Sequence, residues 1–142
     1  MTEPLHECIG YVLVQVMKAH RYRAENALNQ LGLHTGQEMI LFQLWEQEGL
    51  AQSQLVENLC VEPPTVTKML QRLEKAGLVE RRQDSEDGRI SRVYLTTAGR
   101  ALEAPVRQIW ATLERDLAAG LSETEKMLLR RLLMQLQGNL QR

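Results

Sequence analysis

The residues best equipped for chemistry lie in one stretch, 51–95, and the chemistry they suit is recognition. Take Val66 as the origin of a helical wheel that advances about 100° per residue. Val66, Met69, Leu70, Leu73 and Ala76 then fall within one third of the circumference and face a core. Pro64, Thr67, Lys68, Gln71 and Lys75 fall on the opposite side, with Arg72 on a flank and Thr65 nearer the core edge. That outer face combines hydroxyls, an amide and cations, and its one acid is Glu74, at the margin. Cations suit phosphates and guanine edges, Gln suits adenine, and Thr suits a thymine methyl or a phosphate. A merely solvated helix face has a similar composition, so the helix alone decides nothing. A turn follows it, in which Asp87-Gly88-Arg89 puts an arginine just past the tip with a carboxylate close enough to fix it. An arginine so held suits a narrow, electronegative minor groove, whereas an ordinary ion pair in a surface turn contributes little.

Other chemistries find less support. There is no Gly-rich phosphate loop, HExxH or GxSxG, and three scattered histidines form no nucleophile–base pair. Asp84 and Asp87 lie in an exposed turn, where desolvation cannot tune them for acid–base work. No enzyme and no cofactor are therefore expected. His6-x-Cys8 supplies two metal ligands, but His20 and His34 do not cluster with them, and zinc takes at least three protein ligands, so no metal is expected. Two cysteines exclude a disulfide framework, and Cys60 reads as a small buried hydrophobe.

The elements that must position the 51–95 unit can be read from spacing. Residues 5–31 carry Leu5, Ile9, Val12, Leu13, Val16, Met17, Ala24, Leu28 and Leu31 at helical intervals, ended by Gly32. Thr35 with Glu38 reads as a capping box that opens a second helix through Met39, Ile40, Leu41, Leu44 and Trp45 to near Gly49. A short helix spans 51–60, with Leu55, Val56 and Leu59 on one face. Pro63-Pro64 opens the next, which Gly77 ends. Strand-like runs 78–83 and 90–95 flank a turn at 84–88. Thr96 caps a helix over 97–118 that Pro105 should kink. Ser122 with Glu125 opens a last helix running through Leu140. The order is four helices, a hairpin and two helices.

The chain is 142 residues long, 44% hydrophobic and 25% charged, which suits one ordinary globular domain. Its longest aliphatic run, around Val12-Leu13-Val14, is far short of a membrane span. No secretory signal is visible, and a reducing cytoplasm is the expected location. Net charge is −1, against a uniformly basic nucleic-acid binder. Residues 63–92 nevertheless hold seven Lys/Arg against five Asp/Glu, while the rest hold ten against thirteen.

The stretch 53–99 resembles the winged helix-turn-helix of the MarR family of bacterial transcription regulators. Leu73-Glu74-Lys75-Ala76-Gly77-Leu78-Val79, Asp87-x-Arg89 and Leu95-Thr96-x-x-Gly99 carry the likeness, with Gly10-Tyr11 and Leu31-Gly32-Leu33 upstream. The resemblance implies a mainly α fold with a small β-hairpin wing. A winged helix-turn-helix lobe would occupy 33–96, with helical dimerisation regions at 1–32 and 97–142. It further implies a DNA-binding regulator, a repressor by family default, that reads a palindromic operator as a homodimer and is released by a small aromatic or amphipathic effector. The apolar stripes of the flanking helices are in any case too extensive for one small winged domain to cover.

By resemblance, Thr65, Thr67, Lys68 and Gln71 read the major groove, Arg89 the minor groove, and Asp87 orients Arg89. Arg72, Lys75, Arg82 and Arg92 are phosphate candidates. Pro64 lies at the helix start, where the family more usually has polar or small residues. Tyr11, Met17, His20, Met39, Phe42 and Trp110 are candidates to line an effector cleft, or are ordinary core and interface residues. Cys8 roughly resembles the reactive cysteine of the family's organic-hydroperoxide sensors. A helix N-terminus favours a reactive thiolate, Glu3 and Glu7 oppose one, and the alternative is a passive side chain. A winged helix used only for protein docking is the other alternative, and it would show no salt-dependent binding to any duplex.

Overall fold

In a computed structural model, residues 3–141 are described, and the helices follow the predicted order with three departures. A 3-10 turn at Leu5–Glu7 leads through extended Cys8 into α1 (Ile9–Asn29), so the first helix begins later than its apolar spacing suggests. Then come α2 (Gln37–Glu46), the two-residue β1 (Leu50–Ala51), α3 (Gln52–Leu59) and α4 (Pro63–Lys75). The strands β2 (Val79–Gln83) and β3 (Ser91–Leu95) follow, then α5 (Thr97–Ala101), α6 (Glu103–Leu117) and α7 (Glu123–Leu140). The fold is mainly helical with a small antiparallel sheet, ordered β1-β3-β2. Leu50 stands opposite Val93, and Val79 opposite Leu95. β1 is absent from the predicted order because two residues are too few to show an alternating pattern.

The long helix expected over 97–118 is two helices. Pro105 lies inside the first turn of α6, and the chain breaks at Leu102 rather than kinking at the proline. A proline ring collides with the carbonyl four residues back, here that of Ala101, the last residue of α5. Ending one helix there and starting another removes the collision and places the missing N–H where no partner is needed.

The Thr35–Glu38 capping box does not form. Thr35 Oγ1 is buried without a hydrogen-bond partner, and Gly36 is the cap residue with φ 102°. Gln37 Oε1 accepts from the His34 N–H (3.0 Å) and Glu38 Oε2 from the Gly36 N–H (2.9 Å). Both bonds hold N–H groups that precede the helix, whereas Thr35 was expected to accept from a helical N–H. Ser122 and Glu125 do exchange the expected reciprocal bonds, at 3.1 and 2.9 Å. Cys60 is exposed rather than buried, and it is the left-handed cap of α3 with φ 54°. Ala76 is exposed as well, because α4 has reached its C-cap there and the chain turns away from the core.

The core joins α1 through α4, the sheet and α6. Leu28 of α1, Ile40, Leu41 and Leu44 of α2, Leu55 of α3, Leu70 and Leu73 of α4, Val93 of β3 and Val106 of α6 are fully buried in one cluster. At roughly 1.5–3 kcal/mol for each large aliphatic side chain, this cluster dominates the stability of the lobe. α7 has no buried residue, and Leu128, Leu129, Leu132 and Leu133 are exposed along it, as are Ile9, Val12 and Val16 along α1. No described helix is long and apolar enough to cross a membrane.

One close approach fixes how α4 leaves the core. Gly77, at φ 76°, lets the chain turn back so that the Leu78 N–H reaches Leu73 O (2.9 Å) and its own N–H reaches Glu74 O (2.9 Å). Thr96 Oγ1 then donates to Gly77 O (2.6 Å), and the Thr96 N–H donates to Leu78 O (3.0 Å). Gly99 lies directly against this junction, where a Cβ would stand 2.1 Å from Leu78 O. Its N–H caps onto Thr96 Oγ1 (3.1 Å), and its carbonyl accepts from Trp45 Nε1 (3.0 Å).

Gly99→Ala should therefore lower stability by about 3 kcal/mol, the scale of a severe overpacking, measured by urea or thermal unfolding. Glu38 gives a test of opposite sign. It is 2% exposed, and burial raises its carboxyl above 4.5 against the lowering effect of its two backbone N–H bonds. The neutral form is thus favoured by folding, and stability from this group is full below pH 4.5 and lost as pH rises through the folded value. Glu38→Gln should melt higher than the parent at pH 7–8, with the difference vanishing below about pH 4.5.

Candidate nucleic-acid interface

α4 presents its polar face to solvent because Val66, Leu70 and Leu73 anchor the other side. Pro64, Thr65, Lys68, Gln71, Arg72 and Lys75 are exposed, so Thr65 lies further from the core than its wheel position suggests. Thr67 is half-buried, and its hydroxyl is already engaged, donating to Pro63 O (3.1 Å) and accepting from Gln52 Nε2 (2.9 Å). Gln52 in turn accepts from Arg81 Nη1 (2.9 Å), and Arg81 Nε also pairs with Glu74. This chain explains the sign of the face. The one acid of α4 is neutralised from β2, while Lys68, Arg72 and Lys75 have no ion-pair partner among the described residues. Arg72 and Lys75 also line a groove of about 460 Å³ with Gly32, His34, Gln37 and Ala76.

The wing repeats this arrangement with different geometry. Asp87 grips Arg89 through both carboxylate oxygens, Nε at 3.0 Å and Nη2 at 3.1 Å, and also accepts the Arg89 N–H at 3.1 Å. The arginine side chain is nevertheless 91% exposed. The guanidinium holds the Asp87 carboxyl below its ordinary range, and Arg89 is pushed further toward the charged form. A cation aimed at solvent with its orientation fixed in advance is what a narrow groove selects.

Arg92 and Arg82 are engaged within the sheet. Arg92 Nε donates to Asp84 Oδ1 (2.7 Å) and Nη1 to Gly49 O (2.9 Å). The Arg92 bond is the largest cause lowering the Asp84 carboxyl, with the Asp87 N–H second. Arg82 pairs with Glu80 and lies over the Tyr94 ring, 4.3 Å from its centroid. Sequence reasoning singled out neither Gln52 nor Arg81, nor Asp84 as a hydrogen-bonding hub. Only Asp84, opening a turn three residues ahead of Asp87, had a visible signal.

Of the effector candidates, His20, Phe42 and Trp110 come together. Trp110 lies 5.6 Å from His20 and 5.8 Å from Phe42 between ring centroids, and its Nε1 is a buried donor with no partner. Tyr11, Met17 and Met39 are exposed, outside those ring contacts. A cavity of about 280 Å³ opens beside His20, between α1 and α6, lined by Val16, Ala19, Arg23, Leu113, Asp116 and Leu117. Arg23 and Asp116 pair there at 2.6 Å. Cys8 is half-buried at the start of α1, with Sγ 3.7 Å from Pro4 O. No group of three or more His, Cys, Asp or Glu able to hold a metal occurs among the described residues.

A sequence model of the MarR family matches residues 33–91. The chain is 35% identical over 101 residues to the HTH-type transcriptional regulator FarR of Neisseria gonorrhoeae, covering 71% of this chain and 69% of that one. It is 29% identical to the HTH-type transcriptional repressor Rv2887 of Mycobacterium tuberculosis, covering 90% and 92% respectively. Its 39% identity to the regulator TtmR of Methylorubrum extorquens extends over 47% of this chain and only 34% of that protein. Among solved structures, a mutant MarR from E. coli complexed with operator DNA superposes with a TM-score of 0.85 at 26% identity, over 95% of this chain and 99% of that one.

The two wing carboxylates provide a check on this geometry by carboxyl NMR titration. Both should titrate below 3.8, so their stabilising contribution is complete above that pH and is lost as pH falls through the folded values. Arg89→Ala should return Asp87 alone toward the ordinary range, and Arg92→Ala should return Asp84 alone.

Proposed function

The chain belongs to the MarR family of DNA-binding transcriptional regulators, which are not enzymes, and from that premise we propose a homodimeric repressor that reads a palindromic operator and is released by a small effector. The observation that carries this reading is the pairing pattern on the reading side. All the acids there but Glu86 are paired with arginines, which leaves Lys68, Gln71, Arg72 and Lys75 on α4 open, with Arg89 held outward by Asp87. Lys68 and Gln71 act on base edges, with Thr65 and Pro64 packing at the helix entry. Arg72 and Lys75 act on phosphates, and Arg89 enters the minor groove. Thr67 serves mainly by fixing Gln52. Arg82 and Arg92 act from within the sheet. The repressor sense draws support from the named repressor among the relatives.

A second copy is the proposed cover for the apolar faces of α1 and α7. Two-fold symmetry then sets two α4 helices about one DNA turn apart, roughly 34 Å. The cavity beside His20 suits a small amphipathic compound, with apolar walls from Val16, Ala19, Leu113 and Leu117 and a polar end at the Arg23–Asp116 pair. It opens between α1 and α6, so a compound bound there would bias how the dimer helices sit against the reading lobe.

Selection from randomised duplex DNA tests this reading. An inverted repeat with half-sites about ten base pairs apart is expected. Lys68→Ala should then weaken binding about tenfold with relaxed preference at one half-site position, and Arg89→Ala should weaken it about tenfold with loss of preference at an A·T-rich flank. Recovery of single half-sites would overturn the dimeric operator, and no enrichment even at low salt would leave the docking reading in its place.

A further inference from the structure

Arg89 is aimed by Asp87, but Asp87 is itself carried on a seven-residue loop, 84–90, and nothing in the ladder of β2 and β3 fixes where that loop points. The ladder ends at the Gln83–Ser91 pair, and the Asp84 N–H closes the loop onto Ile90 O at 2.9 Å. Inside the loop, the Ile90 N–H closes a turn onto Asp87 O (3.0 Å), and the other limb is organised by the Asp84 carboxylate. Oδ2 accepts from the Asp87 N–H (2.9 Å) and the Glu86 N–H (3.2 Å). Oδ1 is turned the other way and takes Arg92 Nε at 2.7 Å. Arg92 lies on β3, the central strand, with Arg82 and Ala51 as its neighbours across the sheet. Its Nη1 reaches past β1 to Gly49 O (2.9 Å), and the Gly49 N–H is tied to Val93 O (2.9 Å). The Asp84 side chain is only 18% exposed and that of Arg92 34%, so water screens this pair less than it screens the Asp87–Arg89 pair.

We infer that Asp84 is a positioning residue for the minor-groove arginine: through Arg92 it ties the wing loop to the Gly49 turn, and through the Asp87 N–H it sets the direction of the carboxylate that holds Arg89. The inference rests on the reading of Arg89 as a minor-groove residue. One carboxylate faces the sheet and the other faces the groove, and the two are joined by one backbone N–H. Loss of the Asp84 charge leaves Arg92 without its carboxylate and frees Asp87 to swing with the loop, so that Arg89 must be ordered at the moment of binding. The rest of the reading surface, on α4, is anchored separately by the core and is not part of this linkage.

A double-mutant cycle on the duplex recovered by selection separates positioning from general support. In the parent background, Arg89→Ala is expected to weaken binding about tenfold. In the Asp84→Asn background, which keeps the shape and loses the charge, the same substitution should weaken binding by less than about threefold, because the arginine is no longer pre-set. Lys68→Ala should cost the same factor in both backgrounds. Arg92→Lys keeps a cation but cannot bridge Asp84 and Gly49 together, so it should reproduce the pattern and serves if Asp84→Asn does not fold. An undiminished Arg89 effect in these backgrounds overturns the inference, as does an equal decline of the Arg89 and Lys68 effects, which would mark a structural role only. If Arg89→Ala is silent in the parent, the minor-groove reading itself falls, by a result distinct from either.

Discussion

The reading side depends on the contact between Gly99 and the Leu78 carbonyl. Beside the shared core, α4 is joined to the C-terminal helices through a few atoms at that point. Gly77 turns the chain, Thr96 bonds to Gly77 O, and Gly99 fits where no side chain can. Trp45 closes the junction from α2 by donating to the Gly99 carbonyl. The direction of α4 is thereby set relative to both the sheet and α5. A rotation of α4 against α5 would have to break several short hydrogen bonds at once. The discontinuity comes immediately afterwards, at Leu102, where it relieves the clash that Pro105 would make in a continuous helix.

Charge is organised by pairing rather than by excess. The chain as a whole is slightly acidic, and the segment that carries α4 and the wing holds only two more cations than anions. A positive surface emerges because four of the five acids there are committed, Glu86 alone having no ion-pair partner among the described residues. Glu74 goes to Arg81, Glu80 to Arg82, Asp84 to Arg92 and Asp87 to Arg89. Three of those arginines are drawn toward the sheet, and Arg89 is turned outward. Within this segment the cations without an ion-pair partner, Lys68, Arg72 and Lys75, all lie on α4. A count of charges along the sequence recovers the sign of this surface but not its strength, since the pairing is spatial.

Where the sequence was legible, a local rule decided the outcome. The Ser122–Glu125 box, the Pro63-Pro64 start of α4, the glycine end of that helix and the Thr96 cap all formed as their types require. The outward face of α4 and the Asp87–Arg89 pair are local for the same reason, since one helix turn or two residues suffice to define them. Where reading failed, a competing partner was hidden. Thr35 and Glu38 have the spacing of a capping box, but Gly36 redirects the chain and itself becomes the cap residue. Cys60 is apolar by type yet ends a helix in the left-handed region, a role with no mark in composition. Arg92 looks like a phosphate ligand until its partners appear, eight residues back across the hairpin and at Gly49.

The bare apolar face of α7 has a consequence for how much folded protein a given concentration supports. A helix is costly to nucleate, and most helical stability in proteins comes from packing. α7 has a good cap at Ser122 but no buried residue to hold it. Its order is then linked by mass action to whatever covers it, and on the reading given above that cover is another copy of the chain. Dilution would unwind α7 before it disturbed the lobe that reads DNA, whose core is closed within a single chain. Copy number in the cell thus becomes a structural variable, setting how many chains are complete.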